Sequence, residues 1–342
     1  MNITVLGAGS WGTAFAIHCA RMGHCVNLVP RRFEVALELA SQKENSTYLP
    51  GIPFPSSLAI VEEIAPALLE AELLVLACPT HALSSVCEAI KPQVPSSIQA
   101  ILSLSKGLDR QTLLCPFELI EKHFPEIPVG VLSGPNCARE IAQGLPAASV
   151  LAFDDKEPLL SHLQQELSSS TLRLYRSMDR KGVQLGGVLK NIYAIGAGLC
   201  LGLKLGDNAL ASYLTRALQE MIRIGIALGG SVETFYGLSG LGDFIATSYG
   251  SWSRNHQFGL AFAKSIHESP KSTHALEFHL EAAFTHTKGV VEGYPTIQIL
   301  SEKLAHHNLS TPLLNALKKV FYENMDPLKM IQELQDRPLA AE

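Results

Sequence analysis

What this chain of 342 residues has little of narrows the reading first. Cysteine is sparse and unpatterned: seven residues, at 19, 25, 78, 87, 115, 137 and 200, with no C-x-x-C spacing. An odd, scattered set argues against a disulfide framework and points to reduced, mostly buried thiols in a cytoplasm. Charge of one sign is nowhere concentrated. The net charge is −5, and no run of Lys or Arg is longer than a pair such as Arg31-Arg32, so no broad nucleic-acid footprint is expected. Uninterrupted apolar stretches never approach the ~20 residues of a membrane span. The opening MNITVLGAGS also lacks the basic and apolar regions of a signal peptide, so neither an integral membrane segment nor export is expected. Twelve histidines include no H-E-x-x-H, and no G-x-S-x-G elbow occurs, which disfavours zinc and serine hydrolases. His274, His279, His286, His306 and His307 are expected on helix surfaces or loops, with no metal bound.

What is present is a globular balance, 47% hydrophobic and 17% charged, in a chain longer than one core usually supports. Two domains are therefore expected. From residue 1 to about 180, the β-rich runs ITVLGAG, CVNLV, LLVLAC, IQAILSLS, VGVLSG, ASVLAF and TLRLYR alternate with helical patterns, which predicts a parallel sheet covered on both faces. Beyond 183 the texture turns helical, as in LASYLTRALQEMIRIGIAL, YPTIQILSEKLAHHN and TPLLNALKKVFYEN. The polar stretch SMDRKG separates the two textures.

The first strand ends in Gly7-Ala8-Gly9-Ser10-Trp11-Gly12, the G-x-G-x-x-G spacing, and a helical stretch comes directly after it. In that context Gly7 serves the tight turn, Gly9 lets the backbone approach a pyrophosphate, and Gly12 lets the helix pack on its strand. A dinucleotide is the expected ligand. The second strand runs into Val29-Pro30-Arg31-Arg32, where a carboxylate for the ribose hydroxyls would otherwise stand. Two guanidiniums suit a 2′-phosphate better, so NADP(H) is favoured over NAD(H), the alternative being a solvated surface pair.

Ligands of such sheets gather beyond the carboxyl ends of the strands. Pro79-Thr80, Lys106 and Ser133-Gly134-Pro135-Asn136 all come after strand candidates there. Inside VQLGGVLKNIYAIGAGL, residues 183–199, Lys190 and Asn191 interrupt an apolar helix. Helical spacing predicts a core stripe of Val188, Ile192, Ile195 and Leu199, with Lys190 pointing elsewhere among Gly186, Gly187, Ala194 and Ala197, which leave room for a ligand. A desolvated lysine near a second ammonium such as Lys106 has its pKa lowered toward neutrality, as a general base or acid requires. The competing reading has Lys190 snorkelling to water while the glycines allow close packing. Further on, Asp243 and Thr247 stand four apart, so on a helix they share a face. Arg254 and Asn255, after Ser253, suit a phosphate dianion.

Taken together, GAGSWGTA, SKGL, SGPNCARE, GVQLGGVLKNIYAIGAGL, LGDNA, LTRALQEM, GLSGLGD, SRN and VVEGY resemble the NAD(P)-dependent glycerol-3-phosphate dehydrogenase family of the bacterial soluble type, over nearly the whole chain. The resemblance implies an α/β fold: an N-terminal Rossmann-like doubly wound sheet, residues 1–180, followed by an all-α C-terminal domain like that of 6-phosphogluconate dehydrogenase, residues 181–342. It implies interconversion of dihydroxyacetone phosphate and sn-glycerol 3-phosphate for phospholipid synthesis, with a small phosphorylated substrate and NADP(H) or NAD(H); the apolar helical second domain separately suggests a homodimer. By position it implies Lys190 as the proton acceptor, with Lys106 and Asp243 beside the reacting oxygen. Gly134, Asn136, Asn191, Thr247, Ser253, Arg254 and Asn255 are the implied substrate contacts. Gly7, Gly9, Ser10, Trp11, Gly12, Arg31, Arg32, Lys106, Ala138, Arg254, Val290 and Glu292 are the implied cofactor contacts. Asn136 stands where the family commonly has Ser or Thr, and residues 268–289 depart from the usual pattern. A hydroxyacid or 6-phosphogluconate type dehydrogenase, and a nonenzymatic NADP(H)-binding regulator, are the alternatives.

Overall fold

The computed structural model describes residues 1–154, 157–268, 275–287, 289–305, 309–336 and 338. His274, His306 and His307 lie outside them. Among the described residues the chain forms two compact units, Met1–Gly187 with Tyr236–Asp243, and Val188–Phe235 with Phe244–Glu342.

The first unit is built on one sheet: β1 (Asn2–Leu6), β2 (Cys25–Val29), β3 (Leu58–Ile60), β4 (Leu73–Leu76), β5 (Ala100–Ser103), β6 (Val129–Ser133), β7 (Ala147–Ala152) and β8 (Leu172–Ser177). Their spatial order is β3-β2-β1-β4-β5-β6-β7-β8. β4 and β5 are buried at every position, because helices cover both faces and leave no side for polar residues. These helices are α1 (Ser10–Arg21), α2 (Phe33–Gln42), α3 (Ile64–Leu68), α4 (Leu83–Ile90), α5 (Pro116–His123), α6 (Ala138–Gln143) and α7 (Glu157–Leu167). The chain order reverses between β1 and β4, and the carboxyl ends of strands beside such a reversal are where this architecture binds ligands.

Two features differ from the expected sheet. β3, three residues at the edge, carries too little pattern to announce itself. β6 and β7 run antiparallel, with Ser133 opposite Val150. The helix between them, α6, has six residues.

The helix α8 (Arg180–Gly202) begins in the first unit and continues into the second, which adds α9 (Asp207–Ala227), α10 (Val232–Tyr236), α11 (Asp243–Tyr249), α12 (Arg254–Glu268), α13 (Ala275–Thr287), α14 (Gly293–Leu304), α15 (Pro312–Tyr322) and α16 (Pro327–Gln335). By length and composition α8 passes for a membrane span, with mean hydropathy 1.3 over its most apolar window, yet 89% of that window is buried inside the protein. It is a core helix. The expected single core stripe is corrected here, since Lys190, Ala194 and Ala197 are as buried as Val188 and Ile192. Small residues bring neighbours onto more than one face. A Cβ on Gly198 would lie 2.0 Å from the His256 carbonyl oxygen, and one on Gly259 would lie 1.9 Å from that of Ile195. The backbones of α8 and α12 therefore touch directly at this crossing.

Candidate functional site

At the end of β1 the three glycines do three separable things. Gly7 has φ of +116°, and a Cβ there would lie 2.6 Å from the Ala77 carbonyl oxygen just past β4. A Cβ on Gly12 would lie 2.1 Å from the Gly7 carbonyl oxygen and 2.8 Å from the Ala77 Cβ, so only glycine lets α1 sit this close. A Cβ on Gly9 would meet nothing within 4 Å. The first two are demanded by the fold, and Gly9 is not, which fits a backbone kept bare for a ligand. Gly9 also starts α1 without a side-chain cap, and the first turn holds no acidic residue, so the amides of Ser10 and Trp11 fit an anion. The Trp11 Nε1 is buried without a partner, and its ring meets Phe15 edge-on at 5.9 Å. Arg31 and Arg32 stand exposed after β2. Asn45, for which the sequence carries no signal, is 2% exposed and clamps this turn. Its Nδ2 donates to the Ala8 carbonyl at 3.0 Å and to Thr13 Oγ1 at 2.9 Å.

Beyond β5, Lys106 Nζ donates to Asp243 Oδ2 at 2.6 Å and to the Gly134 carbonyl oxygen at 3.3 Å. Asp243 is fully buried, so its carboxylate depends on such partners to offset lost hydration. A π-helical turn, Leu238–Gly242, immediately precedes it; the extra residue in such a turn re-aims the side chains that come after it. Gly187, expected to leave ligand room around Lys190, instead packs against Lys106 and Ser133: a Cβ would lie 3.2 Å from Lys106 Cδ and 2.8 Å from Ser133 Oγ. Gly186 does not make ligand space, because the Ser239 carbonyl oxygen would lie 2.4 Å from its Cβ. Asn136 Oδ1 accepts a hydrogen bond from Ser149 Oγ, and Ala138 opens α6 half-buried against the core.

In the second unit Lys190 is 5% exposed, and its Nζ donates to Thr247 Oγ1 at 2.8 Å. It does not snorkel to water. Asn191 Nδ2 donates to Glu292 Oε2 at 3.2 Å, and the Gly293 amide donates to Asn255 Oδ1 at 2.9 Å. These contacts bring Asn191, Asn255 and Glu292 together. Ser253 Oγ accepts from the His256 amide at 3.3 Å and so caps α12. The exposed Arg254 guanidinium lies against Gly289, whose φ is +147° and whose Cβ would fall 2.8 Å from Arg254 Cζ. Val290 is 53% exposed and joins none of these contacts.

The buried acid of this unit, Glu220, is legible only in the fold. It accepts from Tyr193 Oη at 2.9 Å and from the Leu313 and Leu314 amides at 3.0 and 2.7 Å, capping α15 from far along the chain. Burial raises its pKa, and burial with the Glu220 charge pushes the Tyr193 phenol well up. Tyr193 lies three residues beyond Lys190, so this bond anchors the stretch of α8 that carries the lysine. Of the expected surface histidines, His286 is exposed, but His279 is buried and hydrogen-bonded to Ser265 Oγ at 2.8 Å, because its face of α13 packs on α12. Among the described residues no group of three His, Cys, Asp or Glu side chains is placed to hold a metal.

Two family models match the chain. That for the NAD-dependent glycerol-3-phosphate dehydrogenase N-terminus covers residues 2–158, and that for the C-terminus covers residues 179–332. Glycerol-3-phosphate dehydrogenase [NAD(P)+] of Thermus thermophilus is 40% identical over 98% of both chains. That of Thiobacillus denitrificans is 38% identical over 100% of both. The crystal structure of glycerol-3-phosphate dehydrogenase from Coxiella burnetii superimposes with a TM-score of 0.88 over 98% of both chains, at 32% identity.

Proposed function

Because the chain belongs to the NAD-dependent glycerol-3-phosphate dehydrogenase family, we propose that it interconverts dihydroxyacetone phosphate and sn-glycerol 3-phosphate with NAD(P)H, supplying the backbone of glycerophospholipids. It is an oxidoreductase. When bound, the nicotinamide supplies hydride to C2 of the ketone.

In this reading the amides at the start of α1, with Gly7, Gly9 and Gly12, hold the cofactor pyrophosphate, and Arg31 with Arg32 favours NADP(H). Lys190 gives its proton to the C2 oxygen during reduction and takes it back during oxidation. The Thr247 hydroxyl keeps its ammonium in one position. Lys106, held by Asp243, offers a positive charge to the oxyanion that develops during reduction. Arg254 and Asn255, with Ser253, bind the substrate phosphate, whose dianion a guanidinium matches in shape. Gly134, Asn136 and Asn191 complete the substrate contacts, and Ala138, Val290 and Glu292 those of the cofactor.

The anchored Lys106–Asp243 pair, at the carboxyl end of β5 in a chain matched by both family models, carries this reading. We also infer a cytoplasmic homodimer; the exposed Ile245, Tyr249 and Trp252 of the second unit support self-association. NADPH absorbance monitored with purified protein and dihydroxyacetone phosphate tests the reaction. Substrate-dependent loss of absorbance is expected, and no loss with either NADPH or NADH overturns it.

A further inference from the structure

The loop after β6 contains a donor that the fold orients but does not satisfy. Ser149, on β7, is fully buried, and its hydroxyl donates to Asn136 Oδ1. That bond fixes which way the amide faces. Asn136 Nδ2 then points away from Ser149, and it is buried without a hydrogen-bond partner. Burying an unmade N–H is costly, so sites that tolerate one commonly reserve it for a ligand acceptor. The loop cannot easily turn the amide elsewhere, because Gly134, at φ of +151°, lies so close to β7 that a Cβ would sit 2.9 Å from Ser149 Cα. The Gly134 carbonyl accepts from Lys106 Nζ, so Asn136 lies two residues along the loop from a contact of the Lys106–Asp243 pair.

We propose that Ser149 is a positioning residue for substrate specificity: by occupying Asn136 Oδ1 it commits the Nδ2 of Asn136 to an oxygen acceptor of the substrate. Ser149 itself touches no reacting atom. This rests on the reaction proposed above and adds a requirement to it. A hydroxyl in the place of Asn136 would donate or accept, whereas the oriented amide only donates, so it favours a phosphate or carbonyl oxygen over a hydroxyl hydrogen.

The test is a double-mutant cycle on the full chain, with KM and kcat measured for dihydroxyacetone phosphate and KM for NADPH. Ser149→Ala is expected to raise KM for dihydroxyacetone phosphate by roughly five- to tenfold, as loss of one oriented hydrogen bond to a charged group does. The values of kcat and KM for NADPH stay near those of the parent. In an Asn136→Ala background the same Ser149→Ala change has no further effect, because the amide it orients is gone. Ser149→Cys, which keeps the volume with a weaker donor, falls between. An unchanged KM in Ser149→Ala overturns the proposal, as does an equal rise in both backgrounds, which marks a merely structural serine. Thermal unfolding of each variant separates loss of fold from loss of orientation. A parent protein inert toward dihydroxyacetone phosphate overturns the reaction itself and takes this inference with it. An active parent with an insensitive Ser149 overturns only the inference.

Discussion

Glycine does different work in the two units. In the sheet unit, Gly7, Gly107 and Gly134 stand at strand ends with φ of +116°, +149° and +151°, in turns that present backbone or a neighbouring side chain to ligand space. In the helical unit, Gly198, Gly202 and Gly259 lie inside helices and face the backbone or Cβ of another helix. The first kind shapes a site and the second closes a core. The two lysines divide likewise: Lys106 leaves a strand-end loop, whereas Lys190 projects from the interior of a buried helix. The helix-borne amine is buried and held by the Thr247 hydroxyl, whereas the loop-borne one is anchored by the Asp243 carboxylate.

The sharpest way to break this contrast is Lys190→Ala. It is expected to lower kcat about 10²- to 10³-fold, the cost of one lost electrostatic donor and proton source, with NADPH affinity nearly intact by fluorescence titration. Near-normal turnover would remove the helix-borne amine from the chemistry. Next come the glycines themselves. Gly198→Ala forces a methyl to 2.0 Å from a carbonyl oxygen and should cost about 1–3 kcal/mol in thermal unfolding, as overpacking usually does. Gly9→Ala meets no atom within 4 Å, so Tm should hold while KM for NADPH rises roughly tenfold. If both change Tm equally, the distinction fails.

A smaller effect is expected at the edge of the cofactor site. Arg31→Ala with Arg32→Ala should reduce the preference for NADPH over NADH about tenfold in kcat/KM, by loss of charge-assisted contacts to the 2′-phosphate, and leave NADH largely unaffected. The smallest concerns acid. Both units bury imidazoles, among them His18 and His256, and burial lowers the pKa of both below 6.5. The unfolded chain therefore takes up protons first, so the stability these histidines contribute is complete above pH 6.5 and is lost as pH falls through their lower folded values. Glu220 acts in the opposite sense, because its raised pKa favours the fold most below its ordinary 4.5. Unfolding midpoints compared between about pH 7.5 and about pH 5.5 should fall, and His18→Gln or His256→Gln should each flatten that fall.

Much of this was legible in residues 1–182, because a buried strand and a glycine turn write themselves locally. CVNLV is β2 from end to end, and the G-x-G-x-x-G stretch sits between β1 and α1. Strand direction has no such local mark, which is why the antiparallel β7 was not foreseen. Single site residues were also legible, but their pairing was not: Lys106 and Asp243 are 137 positions apart. Asn45, Ser149 and Glu220 carried no signal at all. A carboxylate in LTRALQEM reads as a solvated helix face until α15 is docked on it, and a serine in ASVLAF reads as strand filler until the loop after β6 folds over it.

Glu220 has a consequence for how the chain is finished. Two of its three hydrogen-bond donors, the Leu313 and Leu314 amides, belong to the last tenth of the sequence. A product terminated before Pro312 would lose both amides and leave the buried Glu220 carboxylate with only the Tyr193 phenol and the Arg223 guanidinium at 3.8 Å, loosening the anchor of the stretch of α8 that carries Lys190. With Lys190 in its proposed role, nonsense truncations before Pro312, well outside the proposed ligand contacts, are expected to be inactive.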